Sequence, residues 1–598
     1  MRAFTEPLLS LAGFEEMTKT AEKSSGLVSV TGCIDAQKSQ MIYAFGGNEK
    51  NKLIVTFSEQ KAKELYEEYS FFDQNVVYYP SKDVLFYQSD IRGNLLTAER
   101  IRALKAIREQ DTVTMVTTFD ALMNTMAPIE KMWDNVITFE SGQLVDLKEV
   151  TEALVKMGYE KEYQVDTMGQ FSVRGGILDI FPLTEENPVR IELWGDEIDT
   201  IRFFDSDSQK SVETVDEVTI YPAAEIVLSD EEKAAGIERM QAEAKHVSDK
   251  FRKQMKTEEA YRVSSMADEL AEEWGELSMY AGMDAYLSYF FNSRVGLLDY
   301  FAAKDSFIFF DELSRCCEQG RLTEMEFSES MKQRLAKGYI LPGQMSGIFT
   351  EKEIVAKLEK YSCVALGALD NKANGLHQTG QYGIHCQSVS PYNNSFELLI
   401  KDLKRYKKNG YKVILLSGSR TRAKRLAEDI TDQGISCFYT ENYDHDLEDG
   451  QIMVCYGKVR KGFEYPILKF AIITESDIFG AQKKKKKRHR TYEGEKIQSF
   501  TDLSVGDYVV HENHGLGIYR GIEKIEVDKK VKDYIKIEYQ GGSNLYILAT
   551  QLDMIQKYAG KDARKPKLNK LGGQEWNKTK SRVRGAVKQI AGDLVKLY

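Results

Sequence analysis

Residues 501–522, TDLSVGDYVVHENHGLGIYRGI, and 533–555, DYIKIEYQGGSNLYILATQLDMI, decide how this chain is read. Short runs of alternating apolar and polar residues, at 508–510, 534–539 and 545–548, lie between turn clusters such as His514-Gly515 and Gly541-Gly542. Alternation with period two, broken at close intervals by glycine, is the pattern of a small antiparallel barrel rather than of βαβ units. A barrel of this size has no room for an active-site cleft. What it offers is an edge strand, whose unpaired N–H and C=O groups are a template for another chain.

Working outward, composition sets bounds. A chain of 598 residues implies roughly four to six domains. Hydrophobic content of 42% supports real cores, and a net charge of −11 argues against nucleic-acid binding by bulk charge. Seven cysteines without a CxxC pair point to a reducing compartment, and seven scattered histidines form no zinc pattern. The opening MRAFTEPLLSLAGFEE has acids close behind a broken apolar run, which is not a secretory signal, and no stretch is apolar enough for a membrane helix.

Residues 1–135 alternate strand (27–30, 53–57, 76–79, 113–117) with helix (59–69, 97–109), which predicts a parallel α/β sheet. The turn after the first strand, SVTGCIDAQKSQ at 29–40, approximates the phosphate loop GxxxxGK[ST]: Gly32, Lys38 and Ser39 match, but Gln37 replaces the second glycine. A side chain there obstructs the approach of backbone N–H groups to phosphate, so a relic loop is favoured over weak nucleotide binding. Residues 136–222 become β-rich. GQFSVRGGILDIFPL (169–183) and VRIELWGDEIDTIRFFD (189–205) carry Arg174, Arg190 and Trp194 on short strands near turns. Arg and Trp are the types most enriched as binding anchors, and packing of Arg on Trp is the even alternative. Residues 223–387 return to helix, with a charged amphipathic helix at 230–272, and contain DSFIFFDELSR at 305–315. Asp311 and Glu312 follow a buried run where a P-loop enzyme holds magnesium, although acids capping a strand end are common.

Residues 388–482 are a further α/β unit, and KKKKKRHR at 483–490, within a basic linker at 483–500, reads as a linker rather than as a DNA-backbone contact. After the barrel module, 501–560, the segment 561–598 begins a helix with Val583, Val587, Ile590, Leu594 and Leu597 in register. No stop signal precedes Tyr598, which is the expectation for a piece of a longer protein.

The motifs RGGILDIFP with RIELWGDEIDTIRFFD (174–182, 190–205), VGDYVVHENHGLGIYRG with YIKIEY (505–521, 534–539), and LNKLGG with the following Trp576 resemble the bacterial transcription-repair coupling factor family over nearly the whole chain. The resemblance implies a multidomain α/β fold: UvrB-like domains at 1–135 and 223–387, a UvrA-binding insertion at 136–222, a helicase-lobe-like domain at 388–482 and a CarD-like barrel that docks on the RNA polymerase β subunit. It puts Arg174, Arg190 and Trp194 on the UvrA contact, and Ile535, Lys536 and Ile537 on the polymerase contact edge. It also implies that an ATP-driven DNA translocase, using ATP and Mg2+, follows the last helix and is absent here. The segment from Tyr79 to Arg100 is too short for the long damage-probing hairpin of UvrB.

Three readings remain open from the residues. An adaptor would hold stalled polymerase and recruit UvrA, as a monomer in the bacterial cytoplasm, touching DNA mainly through the absent motor and carrying no cofactor of its own. An ATPase would use Lys38, Asp311 and Glu312. A CarD-type regulator would leave Arg174, Arg190 and Trp194 without a partner. The adaptor reading predicts no ATP hydrolysis, loss of polymerase docking when Ile535 or Ile537 becomes Arg, and loss of UvrA binding without loss of stability when Arg174, Arg190 and Trp194 become Ala.

Overall fold

A computed structural model describes residues 1–598 except 24, 46–49, 83–93, 207, 277–282, 370–374, 481–493, 497–502, 512–514, 528–529, 549–554, 559–567 and 571–598. The basic run at 483–490, the helix expected within 561–598 and most of the short segment after Tyr79 lie outside the described residues.

The first α/β unit is built on a seven-stranded sheet in the order Gln378–Gly383, Gly26–Thr31, Ser362–Leu366, Ser306–Asp311, Asn51–Thr56, Thr114–Thr118, Val76–Tyr79. Every pairing in it is parallel. Helices cover both faces, so the inner strands are buried on both sides and read as continuous apolar runs, IFF at 308–310 and LIV at 53–55. Strands from before residue 120 and after residue 305 interleave, so neither stretch of chain can complete the sheet alone.

Between them the chain makes two excursions. The first opens and closes on one antiparallel ribbon, Ile137–Glu140 against Glu217–Ile220. Inside it lies a six-stranded sheet, Ser211–Val215, Glu197–Phe204, Val189–Trp194, Ile177–Ile180, Gln170–Arg174, Glu160–Lys161. One face packs Phe171, Leu178, Ile180, Val189, Ile191 and Ile201 into a core with Leu154 and Met157 of the helix Leu147–Lys156. The second excursion corrects the single helix expected at 230–272. It is a helical hairpin, Asp230–Lys253 and Thr257–Glu276. A capping box from Ser229 and Glu232 starts it, Met255 turns it at φ 62°, and Trp274 anchors its core.

The later α/β unit has the strand order Gln387–Ser388, Phe463–Tyr465, Phe470–Thr474, Lys412–Ser417, Ile452–Tyr456, Phe438–Tyr439. Its core runs into that of the first unit: Ile414, Leu416, Tyr465 and Phe470 share a cluster with Phe4, Phe45 and Tyr69. The last module is one antiparallel ladder, Gly494–Lys496, Ile555–Tyr558, Tyr508–His511, Gly515–Val527, Lys530–Glu538, Asn544–Leu548. Its core holds Val509, Tyr519, Ile535, Ile537, Tyr539 and Ile555.

Candidate functional site

The degenerate phosphate loop is filled from within. Gly32 sits at φ 78°, and a Cβ there would lie 2.0 Å from the Ile384 carbonyl oxygen, so only glycine fits. Its N–H and that of Cys33 donate to the carbonyls of Ala368 (3.3 Å) and Gly367 (3.0 Å), not toward an open cradle. The helix Asp35–Ala44 then buries Gln37, Lys38 and Ser39 together. The Lys38 ammonium meets Asp311 Oδ1 at 2.5 Å, Glu312 Oε1 at 2.9 Å and Asp35 Oδ1 at 3.2 Å. Burial alone would lower its pKa, but the Asp311 and Glu312 carboxylates outweigh this and hold it above the usual lysine range. Three protons meet three carboxylates, so none is left for a phosphate oxygen. Asp311 also accepts from Thr56 Oγ1 at 2.9 Å, and Glu312 from the Ala368 N–H at 3.1 Å. The Gln37 amide atoms and the Ser39 hydroxyl are buried without partners, where a nucleotide loop would present a glycine and a magnesium-binding hydroxyl. The set does not fit ATP and Mg2+. No cluster of metal-ligating side chains occurs among the described residues.

The outer face of the insertion sheet reads as a lattice of cross-strand rows. Ser172, Asp179, Arg190 and Arg202 are in register in one row, and Arg174, Ile177, Glu192 and Thr200 in the next. Alternation puts Trp194 on the same face as Arg190 and Glu192. Asp179 is the buried centre: Arg174 Nη2 donates to its Oδ2 at 2.6 Å, and Arg190 donates through Nε at 2.7 Å and Nη2 at 2.8 Å. Arg190 also reaches Gln209 Oε1 at 2.9 Å and lies over the Phe204 ring at 4.4 Å. It is 13% exposed, against 36% for Arg174. Trp194 is 86% exposed, just before the turn at Gly195-Asp196. The three residues come together on one face, with unequal roles. Arg190 is an internal cation, and its truncation would not leave stability unchanged, which corrects the expectation from sequence. Sequence reasoning missed Asp179; the signal was an acid between Leu178 and Ile180 on a strand whose neighbours carry arginine.

In the last module, Ile535, Lys536 and Ile537 do not lie on an edge, and that expectation is corrected. Their strand is paired on both sides, Ile535 with Ile522 and Ile547, Ile537 with Tyr519 and Leu545. Both isoleucines are fully buried, because the alternation that marks the strand turns them into the core. Lys536 points outward to Glu523 Oε1 at 2.7 Å and over the Tyr546 ring. The outermost strand on this side, among the described residues, is Asn544–Leu548. The Tyr539 N–H donates to the Ser543 carbonyl, which fixes the ladder's phase. Residues 545 and 547 bond inward, and Tyr546 directs its N–H and C=O to the open side.

Comparisons with known proteins match two stretches of this chain to described families. The family described as the UvrB interaction domain matches residues 137–226, and that described as the CarD-like/TRCF RID domain matches 503–559. A transcription-repair-coupling factor of Bacillus subtilis is 32% identical over 556 residues, 92% of this chain and 47% of that protein. Namesakes from Staphylococcus haemolyticus (31%, 96% of this chain and 48% of that protein) and Staphylococcus aureus (29%, 98% and 49%) are similar over the same extent. The resemblance read from the sequence is borne out over nearly the whole chain, and the chain spans about half the length of the curated relatives it matches.

Proposed function

We propose that this chain is the recruiting part of a transcription-repair coupling factor. One surface, centred on Arg174 and Trp194, docks UvrA. A second, the open edge at Asn544–Leu548 with Lys536 beside it, pairs with the RNA polymerase β subunit. The observation that carries this reading is Trp194, a large aromatic left 86% exposed beside a half-exposed arginine that a buried carboxylate holds in place. Aromatic and Arg anchors on a rigid sheet are the composition of a binding hot spot.

The α/β units serve as scaffold and turn over no nucleotide, because the Lys38 ammonium is already neutralised by three carboxylates. Polymerase displacement then belongs to an ATP- and Mg2+-dependent translocase outside this chain, and so does most of the DNA contact. The chain acts as a monomer in the bacterial cytoplasm; no helix among the described residues is long and apolar enough to cross a membrane.

Calorimetric titration of UvrA into the chain tests the first surface. Trp194→Ala and Arg174→Ala should each weaken binding about tenfold or more, a usual hot-spot loss, with the melting temperature unchanged for Trp194→Ala and only slightly lowered for Arg174→Ala. Equal affinities for both variants and the parent would assign these side chains to ordinary surface packing.

A further inference from the structure

The face that carries Trp194 continues past it. Glu197 pairs with Trp194 across the turn at Gly195-Asp196, and on its other side it bridges Leu144 in antiparallel register. The bonds Val145 N–H to Asp196 C=O (2.8 Å) and Ile198 N–H to Gln143 C=O (2.9 Å) flank that bridge. Leu144 and Glu197 are therefore a non-hydrogen-bonded pair, the type whose side chains stand closest and on one side of the sheet. Trp194, Glu197 and Leu144 form a third row beyond the two arginine rows. By strand spacing, its outer members are about 10 Å apart.

Leu144 is 74% exposed, and few large apolar side chains among the described residues are more so. Its neighbours in sequence, Val145 and Leu147, pack against the insertion core, so the backbone that presents it is fixed. Glu197 is exposed and makes no ion pair among the described residues, whereas Glu192 in the adjacent row is bound by Arg202. The row thus reads apolar, acidic, apolar, with Arg174 in the adjacent row, two strands across from Trp194.

We propose that Leu144 and Glu197 extend the docking surface of Trp194, and that the partner presents two apolar recesses flanking a basic group, with an acidic group farther along facing Arg174. The proposal rests on the reading that this face binds UvrA. It adds an apolar anchor and a charge code that set partner choice, since an unpaired carboxylate between two buried apolar contacts rejects an acidic partner surface.

The test uses the full chain and purified UvrA, titrated with Leu144→Ser, Glu197→Lys and Trp194→Ala, with thermal unfolding of each variant alongside. All three positions are exposed, so melting temperatures should stay put. The expected result is a loss of roughly fivefold to tenfold for Leu144→Ser, and at least as much for Glu197→Lys. If Trp194→Ala weakens binding and the other two leave it unchanged, the extended surface is overturned while the UvrA reading stands. If none of the three variants changes the affinity, or the parent chain does not bind, both fall together.

Discussion

Arg190 and Lys38 make the same point about single residues: a cation chosen for its chemistry turns out to be held by carboxylates of its own chain. Removing one partner of a buried pair costs about 3 to 5 kcal/mol, because the remaining charge is stranded. Arg190→Ala should therefore destabilise the insertion by about 3 kcal/mol, tempered by the Arg174 bond that Asp179 keeps; Arg174→Ala, which leaves Asp179 both bonds from Arg190, should cost about 1 kcal/mol, and Trp194→Ala should stay within about 0.5 kcal/mol. Lys38→Ala should cost a similar few kcal/mol, since it strands the fully buried Asp311, and should leave ATP hydrolysis at background in parent and variant alike. Urea unfolding of the four variants, with a phosphate-release assay for Lys38→Ala, checks both statements; DNA-stimulated hydrolysis lost in Lys38→Ala would revive the enzyme reading. The sequence singles out these residues by type, through Gln37 in the loop and Arg-Trp on a strand. It was silent on Asp179, because which acid faces which arginine depends on the register of three strands.

For strands and helices, periodicity was readable where pairing is local and misleading where it is not. The helix Glu59–Tyr69 and the strand Val76–Tyr79 fall where the apolar spacing puts them. The hairpin of Asp230–Lys253 and Thr257–Glu276 was read as one helix because both arms carry the same amphipathic pattern and the break at Met255 has no glycine or proline to mark it. In the last module, alternation located the strand Lys530–Glu538 but could not say that it has neighbours on both sides, since strand order is set by contacts far apart in sequence. This changes the experiment. Ile535→Arg should unfold the module rather than report on docking, because it buries a charge in the core beside Tyr519 and Val509. Tyr546→Pro is the informative change. It removes an N–H that faces the open side and keeps the inward bonds of residues 545 and 547. Capture of the β subunit should be lost with Tyr546→Pro while the module's circular dichroism is retained; full capture would move the contact elsewhere.

Across the whole molecule, the chain leaving the insertion is tied to the first α/β unit by a buried charge network at Glu225. Arg100, on the helix Asn94–Glu109, donates to Glu225 through Nε at 2.9 Å and Nη2 at 3.0 Å, and Lys82 approaches the same carboxylate at 2.9 Å. Burial would raise the Glu225 pKa, but Arg100 and Lys82 prevail and hold it at about 2, below its ordinary value of 4.5. A depressed carboxylate contributes stability above its unfolded pKa and loses it as pH falls through the folded value. On the order of 3 kcal/mol should disappear between about pH 4.5 and 2, and Glu225→Gln should flatten that part of the acid unfolding curve. Anchored in this way, the insertion presents its outer face from the first half of the chain, while the last ladder presents an open strand. The claim that these are two independent docking surfaces on one scaffold is tested most directly by co-capture. Polymerase β subunit is immobilised, and retention of UvrA is measured with and without the chain. Retention is expected only when the chain is present, abolished by Tyr546→Pro through loss of the chain itself, and strongly reduced by Trp194→Ala with the chain still held. Failure of the parent chain to retain UvrA on the β surface would contradict it.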